Sequence, residues 1–91
     1  MIYLKKSVRS IAYHLVWAVL QLEKHESVKR KLSVDENRAF FAAVAATLLV
    51  HGYNEKQINK VYSIAIPLAK IIPLDVTQEQ LIEMANKIQN G

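Results

Sequence analysis

The sequence predicts an all-α protein, a compact bundle of about four helices, and three observations lead there. Apolar residues recur at spacings of three and four in every long segment, the period of a helix with one buried face. Three short polar residues are each followed three positions later by Glu or Gln: Ser33 with Glu36, Asn54 with Gln57 and Thr77 with Gln80. In such capping boxes the first side chain accepts from an orphan helix N–H and the later one reaches back. No stretch of useful length alternates polar and apolar residues, so strands are not expected.

The first, N-terminal helix carries no clean cap signal. Val8, Ile11, Leu15, Ala18, Val19 and Leu22 mark one face. Tyr13, Val16, Trp17 and Leu20 spread apolar character around the rest, which predicts cover on more than one side. A basic start followed by the uncharged run Ser10 to Leu22 has the outline of a secretion signal. His14, Gln21 and the bulky Tyr13 and Trp17 argue instead for a core helix. The run is also shorter than the roughly 20 residues of a spanning helix. The charge-dense stretch Lys24 to Lys31 should end this helix between Glu23 and Ser27, its cations favoured at a helix C-terminus.

The second helix follows Ser33 and runs towards His51. Gly52 stands where a helix stop needs positive φ, with Tyr53 placed to fold back towards Leu48. Ala39, Ala42, Ala43 and Ala46 make a small-residue face, and Phe40, Phe41, Val44 and Leu48 supply bulk. No residue from Ala39 to Val50 is charged, so this helix is expected at the centre of the bundle, with Phe41 and Val44 in the core. The third helix starts after Asn54 with Ile58, Val61, Tyr62, Ala65 and Leu68 as its stripe. Pro67 removes one helix hydrogen bond and restricts Ile66. The expectation is a break or kink at Ile66, then a short turn over 67–72 stopping before Pro73. The fourth helix follows Thr77, with Val76 and Leu81 as a hydrophobic staple and Leu81, Ile82, Ala85 and Ile88 as its stripe.

The 91 residues are read as a single domain, 1–91, near the small end of what folds alone. Hydrophobic residues make up 52% of the chain and mean hydropathy is +0.08, rich for so short a sequence. Its 28 Leu, Ile and Val residues exceed what a small interior holds, so part of the apolar surface is expected to meet a partner. A second copy is the favoured partner. The candidate self-interface is Ile11, Leu15, Trp17 and Val19 on the first helix, or Phe40 and Ala43 on the second.

Net charge is +4 and unevenly spread: residues 1–31 hold seven Lys/Arg against two Glu, and the rest five against six acids. That balance permits contact with nucleic acid. The second helix, Gly52 and the third helix together resemble a helix-turn-helix, in which Ile58 and Val61 would pack the second helix on the first. The resemblance implies groove contacts from Lys56, Gln57, Asn59 and Lys60, with Asn54 and Ser63 beside them. Phosphate contacts would come from Lys29, Arg30 and Lys31, or from Lys5, Lys6 and Arg9. Leu48, at a position where that motif prefers a small residue, and the lack of Arg on the third helix depart from the pattern.

Chemistry for catalysis is missing from the pattern. Gly52 and Gly91 are the only glycines, so there is no phosphate-cradling loop. Cysteine is absent, which removes disulfides and thiolate metal sites and suits a cytoplasmic setting. His14 and His25 would stand about 16 Å apart on one straight helix, too far to share an ion. Asp35, Glu36, Glu55 and Glu79 fall at helix starts, where the helix dipole accounts for them. The sequence therefore predicts no enzyme, no cofactor and no metal. It predicts a protein-interaction module (a regulator, inhibitor or assembly factor) acting as a homo-oligomer or on a protein partner, with DNA or RNA binding as the alternative.

Overall fold

The computed structural model describes residues 7–90. Four helices account for the regular structure there: α1 Val8–Lys24, α2 Val34–Val50, α3 Glu55–Ile71 and α4 Gln78–Asn90. α1 and α3 share by far the largest contact and form the centre; α4 packs on α1 and α2 on α3. The all-α bundle expected from the periodicity is what forms.

The caps behave as their residue types dictate. Ser33 Oγ accepts from the Glu36 N–H while Glu36 Oε1 accepts from the Ser33 N–H, at 3.2 and 2.8 Å. Asn54 with Gln57 and Thr77 with Gln80 repeat the arrangement. α1 also has a cap: Ser7 Oγ accepts from the Ser10 N–H, a Ser-x-x-Ser pattern that lacks the reciprocal Glu or Gln. At the end of α2, Gly52 has φ 89°. The Tyr53 N–H reaches the Leu48 carbonyl and the Gly52 N–H that of Leu49, which closes a Schellman turn. α1 ends at Lys24, followed by a turn in which Lys29 takes the left-handed region at φ 48°.

Three expectations are corrected in whole or in part, each for a physical reason. α3 stays helical through Pro67 to Ile71, so of the expected break or kink at Ile66 the break does not occur. Pro67 deletes a single N–H, while Ile64, Ala65, Leu68 and Ala69 are all buried around it, and that burial outweighs the roughly 3 kcal/mol cost of an interior proline. α2 is peripheral rather than central. Only Phe41 and Leu48 of its 17 residues are buried, with Val44 half-buried against the core. Alanine has little surface to hide, so an alanine-rich helix gains less from a central place than α1 and α3, whose Ile, Leu and Val side chains take it. The third failure concerns stripes. In α1 the deepest residues are Ala12, Val16, Val19 and Leu20, and Leu22 is exposed; in α4, Leu81 and Ala85 are buried but Ile82 and Ile88 face outward.

Candidate functional site: the faces of α2

α2 presents three different surroundings to its three sides. Towards the core, Phe41 packs edge-on against Phe40 and Tyr62, with centroid separations of 5.4 and 5.3 Å. Such pairs add stability beyond the area they bury. The Tyr62 hydroxyl donates to the Phe41 carbonyl and so ties α3 to α2. Burial pushes the Tyr62 phenol above its ordinary range.

Beside that seam lies a groove of about 850 Å³ between α2 and α3. Leu32, Val34, Phe41, Ala42, Ala45 and Ile66 give it apolar walls, and Arg38 and Lys70 are its charged members. Asn37 also lines it. Asn37 Nδ2 donates to the Leu32 and Ser33 carbonyls at 3.3 and 3.2 Å, while its Oδ1 is shut off from solvent with no donor.

The third side faces solvent and is uncharged. Ala39, Ala43 and Ala46 are exposed there, Ala42 is exposed at the border with the groove, and Leu49 and Val50 are 57% and 84% exposed at the C-terminal end. Ala39, Ala43, Ala46 and Val50 follow one another at steps of four, three and four, so they share one outward face of the helix, with Ala42 and Leu49 at its edge.

The candidate residues read from the sequence separate into distinct groups. Of the proposed self-interface, Ile11, Leu15 and Val19 belong to the molecule's own core. They are buried within the single chain, because α3 and α4 both pack on α1. Trp17 and Phe40 are half-buried and Ala43 is exposed. Lys24 stacks its ammonium over the Trp17 ring at 5.3 Å.

Of the nucleic-acid candidates, Lys56, Asn59 and Lys60 are exposed along α3 and, with Gln57 and Ser63, line one shallow depression beside Val8. Gln57 is half-buried, its amide oxygen taken by the α3 cap. Lys29 and Arg9 are exposed. Arg30 and Lys31 are committed internally. Arg30 grips Glu36 with both nitrogens, at 2.7 and 2.9 Å. Lys31 Nζ donates to Glu23 Oε1 and to the Ile72 carbonyl at 3.1 and 2.8 Å. Lys5 and Lys6 lie outside the described residues.

Sequence reasoning missed Glu23, the one buried charged side chain among the described residues, at 1% exposure. Its second oxygen accepts from the Leu32 N–H at 2.9 Å. The available signal was its position: Glu23 continues the buried rows of Val16, Val19 and Leu20 at helical spacing, beside a basic connection. Tyr62, on the expected stripe, is half-buried against the core and also walls the groove. Arg38 and Lys70 were passed over because each stands alone in sequence.

Among the described residues no three His, Cys, Asp or Glu side chains group to hold a metal ion, and no helix is long and apolar enough to cross a membrane. Comparison of the chain with known protein families, with curated proteins and with solved structures finds no match.

Proposed function

We propose that the protein is a small non-enzymatic interaction module that works by binding protein, first of all a second copy of itself, through the solvent face of α2. One observation carries the reading. α2 is uncharged around its whole circumference from Ala39 to Val50, with Thr47 its one polar side chain, yet the molecule covers only one side of it. A helix of that composition is ordinarily enclosed, and a contiguous apolar patch with a polar rim marks an interaction site. Alanines let a facing helix approach closely, and Leu49 and Val50 add the bulk. A second copy supplies a face of the same neutral character, so a two-fold contact leaves no charge from either copy stranded. Trp17 and Phe40, each half-buried, are the remaining contributors from the sequence-predicted set. A cysteine-free chain of this kind suits the cytoplasm.

Sedimentation at micromolar concentration tests the reading. The expected result is a dimer burying about 1,200 Å² or more in total. Ala43→Glu with Ala46→Glu should return it to the 10.4 kDa monomer with little change in melting temperature, because both side chains are exposed. A wild-type protein that stays monomeric excludes self-association and leaves the same face to a different protein.

Nucleic-acid binding is the second reading, favoured by Lys56, Asn59 and Lys60 lying on one exposed face of α3 after the Gly52 turn.

A further inference from the structure

The α2–α3 groove has a polarity that the outer face of α2 lacks. Phe41 and Tyr62 stand nearly equidistant in sequence from Gly52, and their hydrogen bond sets two helices running back from that turn side by side. Arg38 and Lys70 lie further from the turn, at the open end of the pair. Neither makes an ion pair among the described residues, and no carboxylate lines the groove. Towards the turn the walls are Phe41, Ala45 and the Tyr62 ring, with Ile66 level with Arg38 on the facing helix. The Tyr62 hydroxyl is already spent on the Phe41 carbonyl, so the inner end offers a ligand only apolar surface.

We propose that this groove binds a single-chain amphiphile with a carboxylate head, its alkyl chain between Phe41, Ala45 and Ile66 and its head between Arg38 and Lys70. A volume of about 850 Å³ with apolar walls and a few placed polar groups is the usual form of a small-molecule site. The guanidinium of Arg38 matches a carboxylate with two parallel donors, and Lys70 adds a point charge. From Arg38 to Ala45 the helix rises only about 10 Å, a span for a medium-length chain. The Tyr62–Phe41 bridge crosses from one helix to the other at that level and stops a through-running helix from lying along the floor. A neutral helix face in the groove would also leave both cations without a counter-charge.

The test is a calorimetric and NMR titration of the full chain with decanoate, decanol and decyltrimethylammonium, each kept below micelle formation. Decanoate should bind saturably, one per chain, with shifts at Ala45 and Ile66. Decanol should bind at least tenfold more weakly and the cation not at all. Arg38→Gln with Lys70→Gln, both exposed positions, should cut decanoate affinity at least tenfold and leave decanol unchanged. Ala45→Trp should fill the groove and abolish both. Should that variant unfold, the double glutamine variant and the ligand series decide alone. Equal binding of decanoate and decanol, no saturable binding, or binding that survives a folded Ala45→Trp overturns the proposal. Loss of a dimer in the glutamine variant, without decanoate binding by the wild type, assigns the groove to a second copy instead. The outer-face variants Ala43→Glu and Ala46→Glu should leave decanoate binding intact, which separates this site from the self-association surface.

Discussion

The Glu23 carboxylate meets the Lys31 ammonium at 3.1 Å in a contact that joins three parts of the chain. Glu23 closes the buried face of α1, Lys31 sits just before α2, and Ile72, whose carbonyl takes the same ammonium at 2.8 Å, caps α3. The Leu32 N–H completes the set on Glu23 Oε2. A buried carboxylate is tolerated when it is paired and fully hydrogen-bonded, and here its partners fix the α1–α2 connection against the end of α3.

Removing that carboxylate should therefore cost more than a surface charge does. Glu23→Ala leaves the Leu32 N–H without its acceptor and Lys31 with a carbonyl alone. The expected loss is about 2–3 kcal/mol, since a stranded buried donor costs about 1–3 kcal/mol and the Lys31 side chain, 38% exposed, can partly rehydrate. Glu23→Gln keeps an acceptor for Leu32 and should cost less. Urea unfolding of both variants checks this; equal losses would show that the Leu32 hydrogen bond contributes nothing.

Strong acid should weaken the start of α2. The Glu36 carboxyl is lowered from its ordinary 4.5 to about 2, chiefly by the hydrogen bonds from Arg30 and then by the Ser33 N–H. A folded-state value below the unfolded one means the contribution is complete above about pH 4.5 and disappears as pH falls towards 2. NMR titration of the Glu36 carboxyl should give a midpoint near 2, and Arg30→Ala should move it back towards the ordinary range. The ion pair is fully on the surface, so added salt should weaken its effect. An unchanged midpoint in Arg30→Ala would assign the shift to the cap alone.

Helix number, three of the four caps and the glycine stop were legible because each is a local event: a side chain meets a backbone group a few residues away. Placement of the helices was not. The same lack of charge that put α2 at the centre on paper leaves it exposed in the fold. Residue type says that Ala42 or Val50 tolerates burial, but the competition with Val16, Val61 and Leu68 for one small interior decides whether it occurs. Glu23 and Lys31 are eight residues apart and read as solvated charges until Ile72, from another helix, closes over them. The groove was hidden for a related reason, since Arg38 and Lys70 come to line one groove only through the α2–α3 register.

Phe41 and Ser33 separate packing from capping on the same helix. Phe41 is 3% exposed and touches two aromatic rings, so Phe41→Ala should cost about 3–5 kcal/mol. Ser33→Ala loses one cap hydrogen bond and should cost about 1 kcal/mol. Thermal melts of the two should differ widely. Similar melting temperatures would mean that α2 is held by its ends and not by its buried face.

The polar side of α3 gives the last test, between duplex binding and ordinary solvation. Lys56, Asn59 and Lys60 share an exposed face, and with Arg30 and Lys31 held by Glu36 and Glu23 the remaining described cations nearby are few. A protein that neutralises only two or three phosphates shows a shallow salt slope, close to the number contacted. Retention of a duplex at about 150 mM salt against excess random DNA, abolished by Lys56→Ala with Lys60→Ala at unchanged melting temperature, would support the helix-turn-helix reading. The expected outcome is complete release under those conditions. α3 lies with α1 at the centre of the bundle, whereas a recognition helix must project far enough for three or four side chains to reach base edges.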